Sequence, residues 1–125
     1  MKTRYHQILL PAIVFALSWS TLSTAQDAVS VDPRHHKVEF ENDHVRVLRI
    51  TFAPGESSQM HSHPCAIAVG VSDSLLTFQL PDGSTRPARL NLGQVIVAKP
   101  QTHSPQNKSP SAAEVILVEL KDGGC

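Results

Sequence analysis

The sequence predicts an all-β domain, a sandwich or a barrel, on three observations. Its apolar residues fall in short runs rich in Val, Ile, Leu and Phe. Turn residues bound those runs at close intervals. No stretch beyond residue 25 carries a sustained 3.6-residue apolar period, so nothing there reads as a long amphipathic helix.

Taken in order, His36 to Glu41 (HKVEFE) alternates, and Val45 to Phe52 (VRVLRITF) is β-branched and aromatic. Asn42 and Asp43 separate the two as a turn, and Pro54-Gly55 ends the second. Ala66 to Val71 (AIAVGV) is small and apolar, and Leu75 to Leu80 (LLTFQL) follows it. Pro81-Asp82-Gly83 then predicts a hairpin, because Gly tolerates positive φ, with Thr85 to Leu90 as a weaker returning strand. Val95 to Ala98 (VIVA) and Val115 to Leu120 (VILVEL) complete the set. The tail Asp122-Gly123-Gly124-Cys125 reads as flexible.

Size and charge narrow the class. The chain has 125 residues and 13.6 kDa, one domain's worth, with 41% hydrophobic and 18% charged residues, which excludes a wholly disordered chain. Eleven Lys and Arg balance eleven Asp and Glu, so the basic excess of a nucleic-acid binder is missing. Two Cys are too few for a disulfide-framework miniprotein.

The first 25 residues read as a secretory signal peptide. Lys2 and Arg4 form a positive start, and Ile8 to Trp19 is an apolar stretch broken by Pro11 and Ser18. That stretch is shorter than the roughly 20 residues that span a bilayer. Ser23-Thr24-Ala25 fits a small-x-small cleavage site, which puts the processed domain at 26–125. Removal of Lys2 and Arg4 leaves nine basic residues against eleven acidic ones, a net charge of −2. The expected destination is periplasmic or secreted, an oxidising setting with no membrane association after cleavage.

The chemistry is concentrated in Met60-His61-Ser62-His63-Pro64. On a strand, residues i and i+2 share a face, so His61 and His63 project together. Two imidazoles so placed can grip one divalent metal, or can be an ordinary pair of surface or core histidines. Gln59 shares that face, as a possible further ligand or as a strand residue bonded to its neighbours, while Met60 on the other face reads as core. His35, His36 and His44 read as surface residues, since neighbours on a strand cannot both enter one site. Arg46 and Arg49 read as cover for a sheet's outer face. No nucleophile–base pair, phosphate loop or paired acid–base carboxylates stand out.

The surrounding pattern resembles the cupin superfamily. Gly55, His61 and His63 match the first half of its first motif, G-x5-H-x-H-x3,4-E-x6-G. Gly93, His103 and Asn107 match parts of the second, G-x5-P-x-G-x2-H-x3-N, with Pro100 displaced by one and the segment before His103 one residue short. The resemblance runs from about Val31 to Leu120 and includes small secreted single-domain members. It departs at the first-motif Glu, where Ile67 and Ala68 stand, and at the closing Gly, where Ser74 and Leu75 stand.

The resemblance implies a double-stranded β-helix, a jelly-roll barrel with its site inside. It also implies that His61, His63 and His103 ligate a divalent metal (Fe, Mn, Zn, Cu or Ni), with pairing into a homodimer through sheet edges by analogy. Three neutral imidazoles leave the metal's full +2 charge, which favours a small anionic or chelating molecule as ligand or substrate, in oxygenase- or isomerase-like chemistry. The alternative is a non-catalytic barrel that binds a small ligand or partner without metal. Asn107 reads as a turn organiser. Cys65 has three readings: a thiol near the metal, a disulfide with Cys125, or a buried apolar residue with Cys125 free.

Overall fold

The computed structural model describes residues 26–125; the expected signal peptide lies outside the described residues. Nine strands follow one short helix: α1 (Ala28–Val31), β1 (His36–Glu41), β2 (Val45–Phe52), β3 (His61–His63), β4 (Ala66–Gly70), β5 (Ser74–Gln79), β6 (Thr85–Leu90), β7 (Val95–Ala98), β8 (Gln101–Asn107) and β9 (Ala113–Leu120). They form a five-stranded sheet, β1-β2-β9-β4-β7, and a four-stranded sheet, β3-β8-β5-β6. Every named strand pairing is antiparallel.

The alternation in each strand decides what faces inward. Leu48, Ile50 and Phe52 of β2, Ala66 and Ala68 of β4, and Ala113 and Leu117 of β9 form the inner face of the larger sheet. Leu76 of β5 and Leu90 of β6 answer them from the smaller sheet. One end of this interior is apolar, and the other end is filled by imidazoles.

The turns follow from their residues. Asn42 Oδ1 accepts from the backbone N–H groups of His44 and Val45, both at 2.9 Å, which closes the β1–β2 hairpin. Gly83 takes φ 84° between β5 and β6, and Asp82 Oδ1 accepts from the Ser84 N–H at 2.9 Å. Gly70, at the end of β4, lies against the Asn91 carbonyl with no room for a Cβ. Asn107 organises the turn into β9, as its sequence context suggests. Its Nδ2 donates to the Phe52 and Ser111 carbonyls at 3.0 and 2.8 Å, and its Oδ1 accepts from Ser109 N–H at 3.0 Å.

Several expectations are corrected. β8 has no apolar run to announce it, yet it sits between β3 and β5 because His103, Pro105 and Asn107 all point inward. Met60 is half-buried rather than core, and Gln59 is exposed, because β3 begins only at His61. The tail is not loose. Cys125 forms a disulfide with buried Cys65, Cα to Cα 5.7 Å, which joins the C-terminus to the start of β4. Among the described residues no helix is long and apolar enough to cross a membrane.

Candidate metal centre

Four buried histidines meet where the two sheets converge. His61 and His103 are directly opposed in the β3–β8 pair, and their ring centroids lie 5.0 Å apart. His63, two residues along β3, faces the same way, 4.9 Å from His61 and 5.4 Å from His103. The fourth is His36, the first residue of β1, with its ring 4.6 Å from His61 and 5.8 Å from His63. His36, His61 and His63 each offer one ligand atom, and these atoms all lie within 4.8 Å of one another.

The inward position of His36 overturns its expected surface placement. His35 is also buried, but the two adjacent residues diverge, as alternation requires. His36 enters the cluster. His35 stacks on Phe52, centroids 4.5 Å apart, and bonds Asp32 and Glu56 at 2.6 and 3.1 Å. Burial alone would raise the Asp32 carboxyl; hydrogen bonds from His35 and Ser58 outweigh it and hold that carboxyl well below its usual range. Only His44 lies at the surface as expected, 3.3 Å from Asp122.

Hydrogen bonds decide the tautomers. A carbonyl oxygen only accepts, so a ring nitrogen bonded to one must carry hydrogen. His36 Nδ1–H donates to the Asp32 carbonyl at 3.1 Å, and His61 Nδ1–H donates to the Gln59 carbonyl at 2.7 Å. His63 Nδ1–H donates to the Glu119 carboxylate at 2.7 Å. In His36 and His61 the lone pair is therefore on Nε2, and in His63 the bond to Glu119 occupies Nδ1 and leaves Nε2 as the nitrogen open to a metal. Orienting partners of this kind are typical of histidines that bind metal. The buried Nε2 of His61 and Nδ1 of His103 have no protein partner. An orphaned imidazole nitrogen in an interior is costly unless something else fills its lone pair.

Burial also keeps the rings neutral. Desolvation, then the nearby histidines, pushes His61 down to about 4 and His103 down to about 3. His36 is lowered for the same first reason. At neutral pH these are unprotonated imidazoles with free lone pairs, the form that ligates.

Behind His63 stands Glu119, 2% exposed on β9. Burial alone would raise its pKa; hydrogen bonds from His63 and Arg46 outweigh that and lower it. Arg46 Nε donates to Glu119 Oε2 at 2.6 Å, and its other arm pairs with Asp27. Arg46 is thus a partly buried anchor rather than outer-face cover. Arg49 does lie on the outside, half-exposed between Glu39 and Glu114. Glu119 carried no motif signal, and its one trace in the sequence is a charge inside the apolar run VILVEL.

The cluster opens on a cavity of about 480 Å³. His36, His63 and His103 line it with Ile50, Leu76 and Leu117, and Ala68 lines it where the motif's carboxylate would have been expected. Gln59 brings its backbone carbonyl to His61 rather than its side chain to the centre.

No protein-family model matches the chain, and no curated protein matches it. Solved structures do. A cupin domain from Bordetella pertussis superposes with a TM-score of 0.64 at 21% identity, covering 78% of this chain and 97% of that one. An uncharacterized conserved protein with a double-stranded β-helix domain from Klebsiella pneumoniae gives 0.55 at 22% identity, over 71% and 78% of the two chains. A cupin family protein with a double-stranded β-helix fold from Methanocaldococcus jannaschii gives 0.52 at 15% identity, over 68% and 77%. The fold of this chain is that double-stranded β-helix.

Proposed function

We propose that this chain binds one divalent metal ion among His36, His61, His63 and His103 and presents it to a small anionic or chelating molecule in the adjoining cavity. The observation that carries the reading is the tautomer pattern. Three buried rings have Nδ1 tied to Asp32, Gln59 and Glu119, which leaves Nε2 of each as its open nitrogen, and each ring offers a ligand atom within 4.8 Å of the other two. His103 is outside that close group of three atoms, but its ring stands 5.0 Å from the His61 ring and its buried Nδ1 has no partner, which supports it as a fourth ligand.

The residues fit such an ion without a carboxylate ligand. Neutral imidazoles suit Zn, Cu, Fe and Ni. Bound there, the ion would act as a Lewis acid toward an anionic group, or supply redox chemistry if it were iron or copper. Neutral ligands leave its charge undiminished, and Arg46 offsets Glu119 behind His63. An anion is therefore the favoured occupant of the open side. The chain's own part is to orient the four rings, exclude bulk water with Ile50, Leu76 and Leu117, and admit a small molecule past the cavity mouth. Oxygenase- and isomerase-like reactions both fit that arrangement.

A periplasmic or secreted setting belongs to the same proposal. It is supported by the signal-like first 25 residues and by the Cys65–Cys125 disulfide, which an oxidising compartment sustains. The test is metal analysis of the protein purified without a His tag. Near-stoichiometric metal is expected, and a chelator should lower the melting temperature. A protein that takes up no metal on reconstitution with Fe, Mn, Zn, Cu or Ni would refute the reading.

A further inference from the structure

We infer that Arg86 is the anion-recognition residue of the cavity and that the molecule admitted there carries a carboxylate joined to an apolar body. The inference rests on the small-anion reading above and adds to it a second recognition point, away from the histidines.

Along β6 the alternation turns Arg86, Ala88 and Leu90 to one side, and Leu90 and Ala88 pack with the core. Arg86 therefore stands on the inner face of an edge strand, at the mouth of the cavity that it lines. Its cross-strand partner is Phe78, and the guanidinium carbon sits 5.2 Å from the centre of that ring. Phe78 in turn lies 4.0 Å from the His103 ring. One aromatic ring thus separates the guanidinium from the histidine cluster.

Arg86 has no carboxylate partner among the described residues. Its one side-chain bond is to Gln101 Oε1 at 2.7 Å, which orients the guanidinium without neutralising it. The contrast with Arg46 and Arg49 is direct, since each of those is held between two carboxylates. Arg89 and Lys99 also line the mouth, and no Asp or Glu lines the cavity. A cation that faces an apolar cavity without an anion beside it is a site for an anion supplied by a ligand. A planar guanidinium matches a carboxylate's two oxygens. The wall between it and the histidines is apolar, so the ligand's body should be apolar too.

The test uses two probes of one shape, 3-phenylpropionate and the neutral 3-phenylpropanamide, titrated calorimetrically into chelator-treated protein. Without metal, any preference for the acid reports on the mouth and not on the histidine centre. The acid should bind about tenfold tighter than the amide, the size of one charge-assisted hydrogen bond. In Arg86→Gln the two probes should bind equally, and Arg86→Lys should keep part of the preference. Neither variant should change the metal content or move the melting temperature by more than about 5 °C, since exposed Arg86 makes one polar bond and one ring contact. Equal binding of the two probes by the unaltered protein, binding of neither, or a preference that survives Arg86→Gln would overturn the inference. A protein that takes no metal yet keeps the Arg86-dependent preference would fail the metal reading alone. One that takes metal but shows no preference would fail this one alone.

Discussion

The Nδ1–H of His63 points at the carboxylate of Glu119, 2.7 Å away and almost wholly buried. The bond links strands 56 residues apart and aims the ring's other nitrogen at His36 and His61. Glu119 is held from behind by Arg46, so loss of the carboxylate disturbs both the orientation of the His63 ring and a partly buried ion pair.

Glu119→Gln should therefore lower metal affinity by about 10- to 100-fold, the usual effect of removing an orienting partner. Glu119→Ala should in addition cost about 3 kcal/mol, because Arg46 is left without its inner partner. Competition with a chelator and urea unfolding measure the two effects. Unchanged affinity in Glu119→Gln would show that the bond does not orient a ligand.

Chelator-treated protein should lose stability as pH falls from about 6.5. His61 and His103 are held down to about 4 and about 3 in the folded chain, against an ordinary value of 6.5. The unfolded chain therefore takes up protons first, and acid favours it. The stabilisation is complete above pH 6.5 and declines steadily below it. Between pH 6.5 and 5 the carboxylates stay ionised, so this window isolates the histidines. Melting temperatures across it should fall, and fall less in His103→Gln. A flat profile in the unaltered protein would contradict the buried neutral imidazoles.

Much of this was legible in the sequence, and the failures have physical causes. β1, β2, β6 and β7 begin and end where their alternation and turn residues place them. His61 and His63 share a face because the period of a strand is two. β8 escaped notice because its inward residues are His103, Pro105 and Asn107 rather than aliphatic ones. His36 was missed for a different reason. Alternation says that His35 and His36 face opposite ways but not which of them enters the centre, and His36 is the one buried residue of β1. A motif records spacing along the chain, whereas a ligand supplied by a distant strand leaves no local signature.

Thiol titration of unreduced, denatured protein should find no free cysteine. The Cys65–Cys125 bridge spans 60 residues in sequence. On the chain-entropy model its removal costs about 4 kcal/mol, so Cys125→Ser should melt more than about 10 °C lower. Two titratable thiols in the unreduced protein would contradict the pairing.

Gly70→Ala tests the packing at the end of β4. An added Cβ would press on the Asn91 carbonyl, which is backbone and has little room to yield. Overpacking of this kind costs about 1–3 kcal/mol. The substitution should shift the urea midpoint by a corresponding amount, while Gly83→Ala should act through its positive φ alone, at 84° in the β5–β6 turn. Equal stability of Gly70→Ala and the unaltered protein would show that the β4 end and the Asn91 turn are not in contact.

His36 is what separates a four-imidazole centre from one of His61, His63 and His103 alone, and metal content of single variants tests its part most directly. Elemental mass spectrometry would be run on the untagged protein and on His36→Ala, His61→Ala, His63→Ala and His103→Ala, each checked for folding by circular dichroism. The four-imidazole centre predicts near-stoichiometric metal in the unaltered protein and a clear loss in His36→Ala, comparable to that in His61→Ala and His63→Ala. Full metal content in His36→Ala, with loss in the other three, would contradict it and return the site to His61, His63 and His103 alone.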